Sequence, residues 1–497
     1  MKNPLLITAL LITGAVAAWG ILDTAGLARV ASELVHALFK SRAWFIMLTV
    51  TFMLIVSLWL AFSRYGSIKL GKDDDEPEFS TVSWLSMLFS AGMGVGLLYW
   101  GTAEPLAHYI VLTDGGADAR EAANQALFVT NFHWGLHAWA IYALTGLIIA
   151  YFGFRLDCPS LISAPITKVF GAGKFPAVAG WLADLLAIVA VAIGLGGSIA
   201  MGVFQIKEGV DAWLGLEGTG LGLMLTIFAL LVTAYILPLT VDLSRGMALL
   251  SNAAMAIAGG LLIFIIIAGP THYIMGGVTE ATGEYFWNAF VHGFRTFTFM
   301  DEAAENWFHS WTLTYMVWWL AWAPFVGVFI ARISKGRTIK EFILGVVLGP
   351  TIFSVLWFGV FGSVGFYAAL NTDLPILELA RSNASAITFY VLNSLPLASV
   401  TVLAVVAAAF LFVVTSVVSA AFVLGMFSSG GNLNPPVRIK LIWGGILGAL
   451  GLVMILSDSI DAVKSIIALG ALPFVFVVLL LVVCLLKALK SESVNAK

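Results

Sequence analysis

About twelve apolar runs, each roughly 20 residues or longer, follow one another along this chain with only short connections between them. Their limits fall at about 5–26, 43–65, 84–112, 125–152, 177–204, 219–239, 246–269, 311–332, 342–370, 397–425, 438–457 and 465–487. Runs of that length span a bilayer, and lipid leaves the backbone no partner but itself, so each run must be a helix. The composition agrees: 60% of the 497 residues are hydrophobic and 11% are charged. This excludes a water-soluble domain and predicts an all-α polytopic membrane protein with twelve transmembrane helices. The net charge of −3 and the lack of a basic run give no sign of nucleic acid. Cys158 and Cys484 lie far apart, so neither a disulfide nor a cysteine metal site is expected. The first 20 residues have the basic start and small residues of a signal peptide, but the apolar run continues to about Leu27 and reads as the first span.

Charge predicts orientation. The ends and the even connections carry about 17 of the 25 Lys and Arg, which puts that side and both termini in the cytoplasm. The acidic run Asp73–Glu76 reads as a solvated loop. The connection at 271–308 mixes Trp287, Phe290, Phe294, Phe297 and Phe299 with Glu284, His292 and Arg295, the pattern of an amphipathic helix in the membrane interface; the alternative is a plain exterior loop.

Two stretches carry the functional signal. Residues 311–338 read WTLTYMVWWLAWAPFVGVFIARISKGRT. Trp311 suits an interfacial anchor, whereas Trp318, Trp319 and Trp322 fall near mid-span, as packing or as the wall of a site. Aromatic faces bind cations, quaternary ammonium above all. Residues 90–105 read SAGMGVGLLYWGTAEP, with Gly92, Gly94 and Gly96 alternating inside a span. Each costs a helix about 1 kcal/mol relative to alanine, so the segment is expected to unwind, as the discontinuous helices of secondary transporters do; close helix packing through small residues is the alternative. His133 and His137 are four apart and share a helical face, but with no third ligand they read as interior or interfacial histidines. Thr415, Ser416 and Ser419 offer hydroxyls of the kind that suit Na⁺, or that simply bond back to their own helix. Glu104 stands before Pro105 and reads as structural, which leaves no evident mid-span carboxylate for proton coupling.

SAGMGVGLLYWGTAEP, HWGLHAWAIY and WWLAWAPFVGVFIARISKGRT together resemble the betaine/choline/carnitine transporter family. The resemblance implies a LeuT-like core of two inverted five-helix repeats, residues 80–270 and 309–490, with two peripheral helices in 1–70 and a homotrimeric assembly. It implies a quaternary-ammonium or sulfonium zwitterion held by Trp134, Trp139, Tyr142 and Trp319, with Trp318 and Trp322 along the inner pathway and Met93 beside the substrate. For Na⁺ as coupling ion, it implies a site formed by Thr415, Ser416 and the carbonyls of Met93 and Phe412. A second ion site of the family has Val191 and Leu195 here, which cannot coordinate Na⁺ through their side chains. Gly96 differs from the aspartate of proton-linked choline carriers, Val418 replaces a usual aspartate, and Met316 stands where some betaine carriers have tryptophan. The expected function is therefore import of a glycine betaine-like zwitterion across the inner membrane, coupled to Na⁺ through one site, or sodium-independent exchange of carnitine- or betaine-type compounds. A channel sits badly with a mid-membrane aromatic cluster, and the sequence holds no catalytic constellation for an enzyme. No cofactor is expected beyond the coupling ion.

Overall fold

A computed structural model describes residues 3–92, 94–216, 218–240 and 244–495. The principal helices are α1 (Pro4–Leu22), α2 (Thr24–Phe62), α3 (Thr81–Gly92), α4 (Val95–Asp114), α5 (Ala119–Trp134), α6 (Leu136–Ala150), α7 (Lys174–Leu214), α8 (Leu221–Thr240), α9 (Ser244–Ala268) and α10 (Thr271–His292). They continue as α11 (Thr314–Arg332), α12 (Ile339–Asn371), α13 (Ala398–Ser428), α14 (Val437–Leu456), α15 (Ile460–Ala471) and α16 (Phe474–Asn495). Eleven helical segments among the described residues are long and apolar enough to cross a membrane. The third span is missing from that count because it is split into α3, which is short at 12 residues, and α4, which is long enough at 20 but carries Glu104, His108 and Asp114 and is less apolar. With the pair taken as one crossing, the expected twelve are present.

The long α7 runs through the middle and packs against α11, α13, α14 and α15, while α6 packs against α11 and α12. These contacts set the first half of the chain against the second. Residues 271–292 form a helix, α10, against α12 and α5; Phe294, Phe297 and Phe299 lie beyond its end.

Two expectations are corrected here. The run at 465–487 is not one span: α15 ends at Ala471 and α16 begins at Phe474. Gly470 and Pro473 fall in this stretch, and proline cannot donate the backbone bond that would carry a helix through. The acidic run Asp73–Glu76 is not merely solvated. Asp73 pairs with Arg155 at 2.6 Å, Asp75 with Lys335 at 3.5 Å and Glu76 with Lys69 at 3.0 Å. The Asp75 carboxyl is held below its usual range, first by the backbone N–H of Lys72 and then by the Lys335 ammonium. Arg155 also binds Glu492 near the end of α16, which joins the C-terminal helix to this face.

The fourth span is interrupted at Gly135. The Tyr285 hydroxyl enters the gap and accepts the Leu136 N–H at 2.6 Å. A Cβ on Gly135 would lie 1.9 Å from the Tyr285 oxygen and 2.6 Å from the Asn131 carbonyl oxygen. Gly135→Ala is therefore expected to lower the melting temperature by several degrees, the response to roughly 1–3 kcal/mol of overpacking. Tyr285→Phe in the same chain should restore part of the loss. A melting curve unchanged by Gly135→Ala would contradict this packing.

Candidate functional site

The two interruptions face each other across one cavity. Helix α3 ends at Gly92 and α4 starts after Gly94. A Cβ on Gly96 would come within 3.1 Å of the Trp134 ring, so the glycine segment lies directly against that indole. The same construction at Gly94 meets the Trp322 ring at 3.8 Å and Ser416 Oγ at 4.0 Å. The cavity, together with the open space at its mouth, measures about 460 Å³. It is lined by Gly94, Gly96, Trp100, Trp134, Tyr142, Ser198, Met201, Tyr315, Trp318, Trp319 and Trp322.

Trp319 is the centre of the wall. Its ring lies 5.3 Å from Trp134 at 87° and 5.2 Å from Tyr142 at 75°. Its Nε1 donates to the His133 carbonyl at 2.8 Å. That carbonyl belongs to the second residue before Gly135, so the helix break and the indole anchor occur together.

The expected site residues are not all placed alike. Trp134, Tyr142, Trp318, Trp319 and Trp322 line the cavity, as do Gly94 and Gly96. Trp139 does not: it is fully buried behind Tyr142 and Trp319, at 5.5 and 6.5 Å. Position 139 follows Gly135 on the new helix, whose phase depends on the break. Gly92 ends α3, and Met93 lies outside the described residues. Ser416 approaches the glycine segment, whereas the Thr415 hydroxyl donates to the Leu411 and Phe412 carbonyls of its own helix at 2.9 and 3.2 Å. Thr415 and Ser419 also line a wider, open cleft, with Asn252, Met255, Phe329 and Ile333, toward the Arg332–Lys340 end of the bundle. Trp100, Tyr315, Ser198 and Met201 are lining residues that sequence reasoning did not single out.

The larger omission is Glu104. The proline after it suggested a span end, but α4 runs on to Asp114. Pro105 lies inside this helix rather than at its end. Glu104 is fully buried. Its carboxylate accepts from His133 Nδ1 at 2.6 Å, Trp134 Nε1 at 2.9 Å and the Tyr315 hydroxyl at 2.5 Å, with His108 Nε2 at 3.4 Å. His133 Nε2 pairs with the Thr312 hydroxyl at 2.9 Å, and His108 Nδ1 accepts from Trp307 Nε1 at 3.2 Å. Both imidazoles thus bond to one carboxylate. Glu104, His108 and His133 could present metal-ligand atoms within 4.8 Å of one another. Each of those nitrogens already has a partner, so the cluster reads as a closed hydrogen-bond network that fixes two cavity rings, Trp134 and Tyr315. His137 is not part of it; its ring is buried without a hydrogen-bond partner among the described residues.

A cavity between two interrupted helices, inside a twelve-crossing bundle, is how secondary transporters build their binding sites. Residues 4–494 match the family model described as "BCCT, betaine/carnitine/choline family transporter", and the chain belongs to this family. It is 38% identical over 488 residues to the glycine betaine transporter OpuD of Bacillus subtilis (strain 168), covering 98% of this chain and 94% of that one. A glycine betaine transporter of Acinetobacter baylyi (strain ATCC 33305 / BD413 / ADP1) is 36% identical, covering 91% of this chain and 68% of the relative. An ectoine/hydroxyectoine transporter of Virgibacillus pantothenticus is 32% identical, covering 94% and 92%. The chain is thus a multi-pass membrane transporter and not an enzyme.

Proposed function

We propose that this chain imports a quaternary-ammonium or sulfonium zwitterion of the glycine betaine type by alternating access. The observation that carries the reading is the cavity wall, in which Trp134, Tyr142 and Trp319 meet edge to face around one space. Each ring contact with an onium group contributes roughly 0.5–2 kcal/mol. Several rings with hydrophobic help reach the approximately 8 kcal/mol of micromolar binding. The carboxylate of the ligand meets the N–H groups at the start of α4, where the helix dipole favours negative charge. The names of the relatives support the onium class. Trp322 and the wider cleft past Thr415 form the route toward the basic end. That end is cytoplasmic by its positive charge, both termini with it, in an inner membrane. The working assembly is a homotrimer.

Na⁺ at Ser416 and Thr415, with the carbonyls of Phe412 and Met93, bridges the glycine segment to α13 and favours the outward-open form. The approach of Ser416 to Gly94 supports this coupling. Binding of the ion requires Thr415 to leave its own helix. That satisfied hydroxyl, with Val191 and Leu195 buried and apolar, favours the second reading, sodium-independent exchange.

Uptake of labelled glycine betaine into proteoliposomes separates the two. A symporter accumulates it only with an inward Na⁺ gradient and fails when K⁺ replaces Na⁺. An exchanger ignores Na⁺ and requires substrate preloaded inside. No uptake under either condition removes the proposal. For the symporter, Thr415→Ala with Ser416→Ala should raise the Na⁺ concentration for half-maximal uptake about tenfold; an unchanged Na⁺ curve removes that ion site.

A further inference from the structure

Two charged side chains are buried beside the aromatic wall, at opposite ends of one stack of rings. Glu104 holds Trp134 and Tyr315 at one end. At the other end is Lys464 of α15. Its Nζ lies 3.8 Å from the centroid of Trp311 and 5.0 Å from that of Trp100. Trp100 lines the cavity. Trp311 meets Trp100 edge to face at 5.4 Å and lies nearly parallel to Tyr315 at 6.2 Å. The ammonium is thus one ring away from the cavity. Lys464 is 5% exposed, and its acidic neighbour Asp461, at 3.7 Å, stands in solvent. Arg337 is the only other buried Lys or Arg among the described residues, and it belongs to the basic end of the bundle, stacked on Trp84.

The arrangement gives the wall a fixed polarity. The end at Trp134 and Tyr315 is backed by a carboxylate, and the end at Trp100 by an ammonium. Burial keeps both charges poorly screened. A zwitterion held against the rings carries a carboxylate of its own that offsets the Lys464 ammonium. A net cation with the same onium group has no carboxylate of its own to offset that ammonium, and Glu104 is the same for both ligands.

We propose that Lys464 makes the transporter select zwitterionic onium compounds over net cations. The inference rests on the onium-transport reading above and goes beyond it, because it assigns the discrimination to one side chain outside the cavity lining.

The test compares glycine betaine and choline binding by isothermal titration to the purified full chain. Wild type should bind glycine betaine more tightly. In Lys464→Met the ratio of the two affinities should move toward choline by about tenfold, the effect of two like charges about 10 Å apart at an effective dielectric of about 20. Lys464→Arg keeps the charge and the ring contact and should keep the wild-type ratio. The proposal is overturned if Lys464→Met binds glycine betaine with the wild-type ratio, or if Lys464→Arg loses discrimination as fully as Lys464→Met. If Lys464→Met does not fold, Lys464→Gln gives the same comparison. Equal binding of both compounds to wild type overturns the proposal without any variant. A wild type that binds neither compound instead removes the transport reading itself.

Discussion

Trp319→Leu should abolish measurable uptake while leaving a folded, monodisperse protein. The ring lies between Trp134 and Tyr142. Its removal takes away one desolvated cation–ring contact, about 2 kcal/mol or roughly 30-fold in affinity. It also leaves two rings without their common neighbour, which brings the expected loss to about 100-fold or more. The substitution frees the His133 carbonyl as well, an unsatisfied buried acceptor worth about 1–3 kcal/mol. Trp319→Phe separates these effects. It keeps an aromatic face but donates no hydrogen bond, so affinity should fall less than tenfold while stability falls by the hydrogen-bond share alone. Binding by calorimetry and melting of the detergent-solubilised protein give the two readings. A Trp319→Leu protein with wild-type affinity would show that the cavity is not the binding site.

Glu104→Ala is the substitution with the largest expected effect on stability. It leaves the donors of His133, Trp134 and Tyr315 facing an apolar space, with His108 beside them. Each stranded buried donor costs about 1–3 kcal/mol. Even with partial relaxation the total approaches about 5 kcal/mol, comparable to the whole stability of a modest fold. The expected result is a melting temperature lowered by ten degrees or more, or loss of the folded protein. Glu104→Gln keeps the shape and one acceptor, and should fall between wild type and alanine. Trp134 and Tyr315 bond the same carboxylate oxygen, so Glu104→Gln, whose one acceptor can serve both rings, should keep more of the ligand affinity than Glu104→Ala. A Glu104→Ala protein that melts as wild type does would mean that the network contributes little to the fold.

Much of the architecture was legible in the sequence because a bilayer leaves so few choices. An apolar run that crosses it must be a helix, so the count of crossings follows from run lengths. The break before α4 was readable too, since Gly92, Gly94 and Gly96 each withdraw helical preference locally. The break at Gly135 was missed. A single glycine in HWGLH is tolerated in many helices, and what opens this one is Tyr285, about 150 residues further on. The same reason explains Trp139. On an unbroken helix it would already stand about 140° from Trp134; with the break its ring faces the packing behind the wall, while Tyr142 lines the cavity.

Glu104 and Lys464 mark the same boundary more sharply. By sequence, one precedes a proline and the other sits in a short polar segment between two apolar runs. Neither position says that the charge is buried. Burial is decided by partners from other helices: His133 and Trp134 of the next helix and Tyr315 of a distant one for the carboxylate, Trp100 and Trp311 for the ammonium. Hydrophobic run length and local glycine content are properties of neighbours along the chain, and they determined the crossings, the first helix break and the aromatic residues available for a site. Which rings face the cavity, and which charges stand behind them, depends on helix rotation and on contacts between residues hundreds of positions apart. Only the packed structure decides those, because lipid constrains a helix to exist but says nothing of how it is turned toward its neighbours.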